Sequence, residues 1–172
     1  MIHFLVFLFC CSAMANPQLV KALNEGRVDL VKELALDPKA RDYKDSEGLD
    51  ALFHAVSLGE IGAVKTLLES GANTQNLYQN KKESLLFEAS RLGANQIIEI
   101  LLKKNPALLK IKNSDDETAL FEAVRSEQSK TVELLIKKGL SLKEKNKLGK
   151  KPADYASVTN KKMQSVLKKL TK

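Results

Sequence analysis

Cysteine is almost absent from this sequence: the only two, Cys10 and Cys11, lie within the first eleven residues. The rest of the chain can therefore form no disulfide and no cysteine-bound metal site. Histidine is equally scarce, and only His54 lies outside the first three positions. A catalytic triad of the serine or cysteine type needs a general base, and His54 is the one conventional candidate. These two shortages argue against a catalytic or metal centre.

Other chemical signatures are missing as well. The eight glycines are spread along the chain, so no glycine-rich loop is available to cradle a phosphate. Neighbouring acids do occur, as in Asp115-Asp116-Glu117, but adjacent carboxylates in a polar loop more often form a solvated turn than an acid–base pair. We therefore predict a protein that is not an enzyme and that needs no cofactor or metal.

Long apolar runs are limited to the N-terminus. Residues Phe4 to Cys11 are apolar but too few to span a bilayer, and Ala13-Met14-Ala15 has the small-x-small pattern of a signal-peptidase site. We predict that residues 1–15 are a cleaved signal peptide and that the mature chain, which begins at Asn16, is periplasmic or secreted. No Lys or Arg precedes the run, so the signal is minimal or the true start lies upstream of Met1. The alternative is a buried N-terminal helix.

What the sequence does contain is a repeat. The stretches ALFHAV, LLFEAS and ALFEAV place Phe53, Phe87 and Phe121 at an interval of 34 residues. A fixed interval of this size is typical of stacked repeat architectures. An alanine two residues after each phenylalanine extends the series in both directions, giving Ala22, Ala55, Ala89, Ala123 and Ala156.

Each repeat has the pattern of two helices. Glycine follows the alanine by four residues at Gly26, Gly59 and Gly93, where a short helix must stop and glycine takes a left-handed conformation without steric cost. A second stretch then has apolar residues at i, i+3, i+4 and i+7, the spacing of one helix face. One such unit cannot bury its apolar face alone, so the pattern predicts an all-α stack of about five helix–turn–helix repeats.

These residues resemble the ankyrin repeat. The similarity lies in Thr118-Ala119-Leu120-Phe121-Glu122-Ala123, in Asp45-Ser46-Glu47-Gly48 and in Leu67 to Asn73, and Gly149 to Ala156 resembles a terminal, capping version. The resemblance implies a solenoid with polar connecting fingers between the repeats. We expect one domain at 16–172, with approximate repeats at 16–44, 45–78, 79–112, 113–145 and 146–172.

The sequence departs from the family pattern in three ways. Phenylalanine stands where the family has histidine, and we interpret Phe53, Phe87 and Phe121 as a core ladder between repeats and not as a ligand stripe. Glu127 replaces the turn glycine in the fourth repeat, which should loosen that turn. Gly62 lies inside a predicted helix, where it costs up to ~1 kcal/mol relative to alanine.

Positive charge is concentrated in the last repeat. Residues 143–172 hold ten lysines against two acidic residues, a net of +8, whereas the whole chain carries +7. An anionic cell-wall polymer, lipid head groups or an acidic protein would suit such a patch better than nucleic acid, because the segment has no arginine and only Tyr155 for stacking. The alternative is that a capping repeat simply needs a polar outer face. The basic patch comprises Lys147, Lys150, Lys151, Lys161, Lys162, Lys168 and Lys169.

The resemblance also implies a function. Ankyrin stacks bind other proteins along a concave face made from the finger tips and the first helices, and exposed apolar residues beside arginines are typical of interface hot spots. We expect a chain that is monomeric when free and binds, and thereby inhibits or sequesters, an envelope enzyme such as a peptidoglycan hydrolase. The alternatives are tethering to the envelope through the basic patch and a scaffold for a periplasmic stress or redox enzyme. The expected contact residues are Leu49, Leu58, Tyr78, Lys81, Arg91, Leu92, Asp115 and Arg125.

Overall fold

The computed structural model describes residues 15–78, 80–158 and 160–170, so the predicted signal peptide, with Cys10 and Cys11, lies outside the described residues. Within these ranges the chain forms ten α-helices and two short 3-10 helices, and no strand. The prediction of an all-α repeat fold is confirmed. None of the described helices is long and apolar enough to cross a membrane.

The chain divides into two compact units, residues 1–73 and 74–172. This boundary falls inside the second predicted repeat, and the assignment of residues 16–172 to a single domain stays a prediction. The helices of unit 1 are α1 (Ala15–Asn24), α2 (Val28–Leu34), α3 (Pro38–Arg41), α4 (Ala51–Ser57) and α5 (Ile61–Glu69). Helix α1 packs on α2 and α4, and α5 packs on α4 and α2.

Unit 2 repeats the same helix pairing. Its elements are α6 (Leu85–Leu92), α7 (Asn95–Lys104), a 3-10 helix (Pro106–Lys110), α8 (Ala119–Arg125), α9 (Ser129–Lys137), a 3-10 helix (Pro152–Tyr155) and α10 (Lys161–Leu170). The first helices pack side by side, α6 against α8, and each also packs on the second helix of its own repeat. The second 3-10 helix takes the place of a first helix in the last repeat and packs on α8, while α10 packs on α9.

The core of each unit is built from the predicted positions. Phe53, Phe87 and Phe121 are buried, as are the alanines two residues after them. The interpretation of the phenylalanines as core residues is therefore confirmed. Ser90 is also fully buried, at the position that valine occupies in the neighbouring repeats, and its hydroxyl has no hydrogen-bond partner among the described residues.

The turn between the two helices of a repeat has a left-handed residue in each of the first four repeats. Gly59 and Gly93 have φ angles of 72° and 70°, and Glu127 has 58°. The amides that follow donate to equivalent carbonyls, Glu60 to Ala55 at 3.0 Å and Gln128 to Ala123 at 2.9 Å. The sequence predicted a looser turn at Glu127, and this prediction is wrong. The turn has the same geometry, with a side chain held in a conformation that disfavours side chains.

Candidate functional site

A cleft of about 640 Å³ opens in unit 2 where consecutive fingers meet the first helices. One wall is made from the finger tips, and the floor is made from α6, α8 and the second 3-10 helix. Most lining side chains are charged, and carboxylates and cations are interleaved. They are Lys81, Glu83, Arg91, Asp115, Glu117, Glu122, Arg125, Asn146, Lys147, Leu148 and Tyr155.

The fingers are shaped by their first residue. The Asn113 side-chain oxygen accepts the amides of Asp115 and Glu117 at 2.9 and 3.0 Å, and Asn146 accepts those of Leu148 and Lys150 at 3.0 and 3.1 Å. Such Asx-type bonds fix a tight turn because they satisfy the amides that the turn would leave exposed.

Consecutive fingers are also bonded to each other. The Ser114 amide donates to the Lys81 carbonyl at 2.8 Å, and the Lys147 amide donates to the Asp115 carbonyl at 3.0 Å. A Lys81–Asp115 ion pair of 3.2 Å crosses the first of these junctions. The finger wall of the cleft is therefore a continuous surface made of three repeats and not a set of independent loops.

Glu117 is the buried charge at the base of the cleft. Its side chain is 4% exposed, and the Arg125 Nη2 group lies 3.0 Å from both carboxylate oxygens. Asn146 from the next finger donates to Glu117 Oε1 at 2.8 Å. A carboxylate removed from water to this extent is stable only when it is paired and hydrogen-bonded, so Arg125 and Asn146 are what make this position tolerable for glutamate.

Tyr155 connects this ion pair to the last repeat. Its ring lies edge-on to Phe121, with centroids 6.0 Å apart, and its hydroxyl oxygen accepts from Asn146 at 2.8 Å. The Arg125 guanidinium lies over the ring at 4.7 Å from the centroid, and Lys150 lies at 5.6 Å. The attraction between a cation and an aromatic ring is stronger when the cation is partly removed from water. Tyr155 therefore helps to hold Arg125 in place.

Arg91 and Glu122 continue the network toward the preceding repeat. Glu122 pairs with Arg125 Nη1 at 2.8 Å and lies 3.5 Å from Arg91 Nε. Arg91 also pairs with Glu88, and its Nη2 lies 4.0 Å from Glu83. Two arginines thus bridge four carboxylates across two repeats, which fixes the positions of all six side chains relative to one another.

Burial and neighbouring charges shift the pKa values of Glu83 and Arg125. Burial raises the pKa of Glu83, and the nearby Glu122 charge adds to this, against the opposing effects of Asn113 and Arg91. Burial works against the charge of Arg125, but Glu117 and Glu122 outweigh it and raise its pKa. Arg125 is therefore the fixed cation around which the carboxylates are arranged, because a guanidinium is effectively always charged in a protein.

Unit 1 has a simpler version of the same arrangement. Asp45 is the first residue of its finger, and its Oδ1 accepts the amides of Glu47 and Leu49 at 2.9 and 3.0 Å. Its second oxygen lies 2.8 Å from His54 Nε2. Burial acts against the ionised form of Asp45, but these amides and the His54 ring outweigh it and lower its pKa. His54, the sole candidate base, is engaged with a finger carboxylate.

Four of the expected contact residues come together in the cleft: Lys81, Arg91, Asp115 and Arg125. Leu58 and Leu92 are 46% and 45% exposed, as expected, but neither lines the cleft. Leu49 and Tyr78 are 9% and 2% exposed, so their predicted exposure is wrong. Tyr78 is buried beneath its finger, where its backbone exchanges two hydrogen bonds with Glu83, at 2.8 and 3.0 Å.

The basic patch is divided between two places. Lys147 lines the cleft and Lys150 lies beside Tyr155, whereas Lys161, Lys162, Lys168 and Lys169 lie on α10. Lys151 precedes the second 3-10 helix, and its amide donates to Asp154 at 2.8 Å. The seven lysines therefore do not form one surface that a single small ligand could cover.

The contact residues singled out from the sequence did not include the carboxylates and cap residues that organise the cleft, namely Glu83, Glu117, Glu122, Asn146 and Tyr155. A signal for the acidic ones was present, because E-x4-E-x2-R occurs twice, as Glu83-Glu88-Arg91 and as Glu117-Glu122-Arg125. These positions recur 34 residues apart, so an arginine can reach carboxylates of its own repeat and, as Arg91 does with Glu122, of the next. Asn146 likewise recurs 33 residues after Asn113, at the same finger position, whereas Tyr155 has no counterpart of its own type in the other repeats.

The arrangement offers a charged surface whose side chains are fixed in place. The described residues contain no group of histidine, cysteine and acidic side chains placed to hold a metal ion. Every carboxylate of the cleft lies near a cation, and no hydroxyl nucleophile with an adjacent base lines it. What such a surface can do is recognise a partner whose charges and shape match a fixed pattern.

Comparison with known proteins agrees with this architecture. The family model described as ankyrin repeats (3 copies) matches residues 18–110 and 86–171, almost the whole of the described chain. No curated protein matches the sequence. Proteins of this family are interaction modules that bind other proteins and are generally not catalytic. The chain belongs to the ankyrin repeat family.

Proposed function

We propose that this protein is an exported interaction module that binds an envelope enzyme, such as a peptidoglycan hydrolase, and inhibits or sequesters it. We place the binding site in the cleft of unit 2 because two arginines and four carboxylates are fixed there across two repeats. Side chains already held in place lose little entropy when a partner binds. The export step rests on the signal-like N-terminal residues.

The rim of the cleft supports the same proposal. Leu148 is 76% exposed and lies beside the charged residues of the cleft, with Lys147 next to it. Covering this side chain with a partner would remove apolar surface from water, which favours association. A rigid surface of this kind, placed over the substrate groove of a hydrolase, would block the substrate by steric exclusion alone.

The test is a pull-down from envelope extract with residues 16–172 as bait, followed by mass spectrometry. The informative variants are Lys81→Glu and Leu148→Ser, which alter the rim without touching the buried ion pair. Arg125 is unsuitable, because its removal would leave Glu117 buried and unpaired. Leu36→Ser is the matched control, since Leu36 is 72% exposed and lies outside the cleft.

One protein captured by the parent and the control, and lost with both rim variants, is the expected result. Equal capture by all baits would remove the cleft as the binding site. The captured enzyme is then assayed with an excess of the pure protein. Full activity under these conditions would remove the inhibitory role and leave only binding.

A second candidate function is attachment to the cell envelope through the basic patch. It is favoured by one observation: four lysines of the patch form no ion pair with any carboxylate in the described ranges, namely Lys147, Lys161, Lys162 and Lys169. Uncompensated lysines attract an anionic polymer or surface, and the attraction weakens as salt rises. Retention on purified cell-wall sacculi that high salt leaves unchanged would argue against this candidate.

A further inference from the structure

The outer end of unit 2 carries an exposed apolar side chain within a basic surface. Val158 is 88% exposed, the highest value among the large hydrophobic side chains of the described residues. It lines a shallow groove together with Ala153, Leu167, Lys161 and Lys168. Leu167 is buried, so Val158 is the apolar group that protrudes from this groove while Leu167 forms part of its floor.

The charge on α10 itself is of one sign. Helix α10 holds Lys161, Lys162, Lys168 and Lys169 and no acidic residue. The Glu127 carboxylate lies at the start of the helix, where it accepts from Asn160 at 2.7 Å. Three of the lysines, Lys161, Lys162 and Lys169, form no ion pair with a carboxylate of the described residues. An external anion can therefore approach these three lysines without displacing a paired carboxylate.

The protruding valine distinguishes between the anionic surfaces that could bind here. A cell-wall polymer would satisfy the lysines but gains nothing from an exposed valine. An acidic protein would need a cavity placed to receive that one side chain. A bilayer with anionic head groups accepts a small apolar side chain at any point of its interface, and its surface potential attracts nearby lysines.

We propose that the end face, defined as Val158, Lys161, Lys162 and Lys169, docks on an anionic lipid surface. The lysines lie among the head groups, and Val158 enters the boundary between head groups and acyl chains. This proposal develops the second candidate function and is independent of the cleft. The cleft lies on the side of the fingers and the first helices, so it would remain available to a protein partner.

The experiment measures partitioning of residues 16–172 onto vesicles by sedimentation. Residues 1–15 are omitted because their apolar run would itself associate with bilayers, and all ten described helices are retained apart from the first residue of α1. Vesicles are made of phosphatidylcholine alone or of phosphatidylcholine mixed with phosphatidylglycerol. Binding is expected only to the mixed vesicles, and raising the salt is expected to weaken it.

Two pairs of variants separate the end face from general charge and general hydrophobicity. Lys161→Gln/Lys162→Gln should reduce partitioning roughly 25-fold, since each lysine near an anionic surface contributes about a factor of five. Its control, Lys103→Gln/Lys104→Gln, removes the same charge from the end of α7 and should change partitioning less than about twofold. All four lysines are exposed, so neither variant is expected to alter folding.

The second pair tests the apolar contact. Val158→Ser should reduce partitioning about fivefold, because a valine side chain leaves the interface. Leu148→Ser removes a similarly exposed apolar side chain that also lies beside a lysine. Because Leu148 lines the cleft and not the end face, this change should leave partitioning unchanged. Equal binding to both kinds of vesicle would overturn the proposal, and so would equal effects within either pair. Retention on sacculi without binding to the mixed vesicles would overturn it in favour of a cell-wall polymer.

Discussion

Replacing Arg125 by leucine should destabilise the protein more than the loss of any exposed ion pair. Glu117 is 4% exposed and Arg125 is 35% exposed, so the substitution leaves a carboxylate out of water without its cation. Removing one partner of a buried pair typically costs about 3–5 kcal/mol. The Asn146 donor remains, and Arg125 is only partly buried, so we expect a loss of about 3 kcal/mol in the free energy of unfolding.

The assay is urea unfolding followed by far-ultraviolet circular dichroism, with Arg27→Leu as the matched control. Arg27 pairs with Glu25 at 3.9 Å, and these side chains are 61% and 42% exposed. Exposed pairs of this kind contribute about 0–1 kcal/mol. Arg27→Leu should therefore move the unfolding midpoint little, although it removes the same charge.

A double-mutant cycle shows whether the unpaired charge is the cause. Glu117→Gln keeps an acceptor for Asn146 but removes the charge, so Arg125→Leu/Glu117→Gln should be about 1–2 kcal/mol more stable than Arg125→Leu alone. Additive losses would refute the reasoning, because they would mean that Arg125 stabilises the fold through packing on Tyr155 and not through Glu117. A loss no greater than that of Arg27→Leu would refute it as well.

Three further predictions concern single positions. Gly62→Ala should stabilise the protein by up to ~1 kcal/mol, because a Cβ there meets no atom within 4 Å; Gly59→Ala, at a φ of +72°, should destabilise it in the same urea assay. Glu127→Gly should stabilise the protein by about 0.5–1 kcal/mol, because relieving the strain of the left-handed backbone gains more than is lost with the exposed hydrogen bond from Asn160. An unchanged or lower thermal midpoint would contradict this. The pKa of Asp45 is lowered from 3.8 in the folded protein. Its ionised side chain therefore stabilises the fold fully above that pH, and the stabilisation is lost as the pH falls through the folded-state pKa. Asp45→Asn should flatten the stability–pH curve below about pH 4, and an unchanged curve would show that Asp45 is not responsible.

Much of the fold could be predicted because its determinants are local. The 34-residue interval of Phe53, Phe87 and Phe121 and the helical spacing of the apolar residues fix helix pairs within each repeat. Stacking then follows, because no single pair can bury its apolar face. The conformation of Glu127 was harder to predict. The backbone hydrogen bonds of its neighbours impose the turn, and the side chain is tolerated there at a cost.

Less of the candidate site could be predicted, because its contacts join residues about 30 apart. Arg91 and Arg125 were expected to contact a partner, but both are engaged with glutamates of their own repeat, and Arg91 also with Glu122 of the next. Tyr78 was expected at the surface, but its place beneath the finger depends on backbone pairing with Glu83. Solvent exposure of a finger residue depends on how the finger folds back, which the repeat pattern does not encode.

The sequence by itself determined that this chain is an all-helical ankyrin stack with few candidate catalytic residues and a strongly basic end. It could do so because period, helix spacing and composition are properties of neighbouring residues. Only the tertiary structure decided which charges are paired inside the molecule and which remain exposed. Glu117 and Arg125 neutralise each other in the cleft, whereas Lys161, Lys162 and Lys169 of α10 form no ion pair among the described residues, because pairing depends on distances that only the folded stack sets.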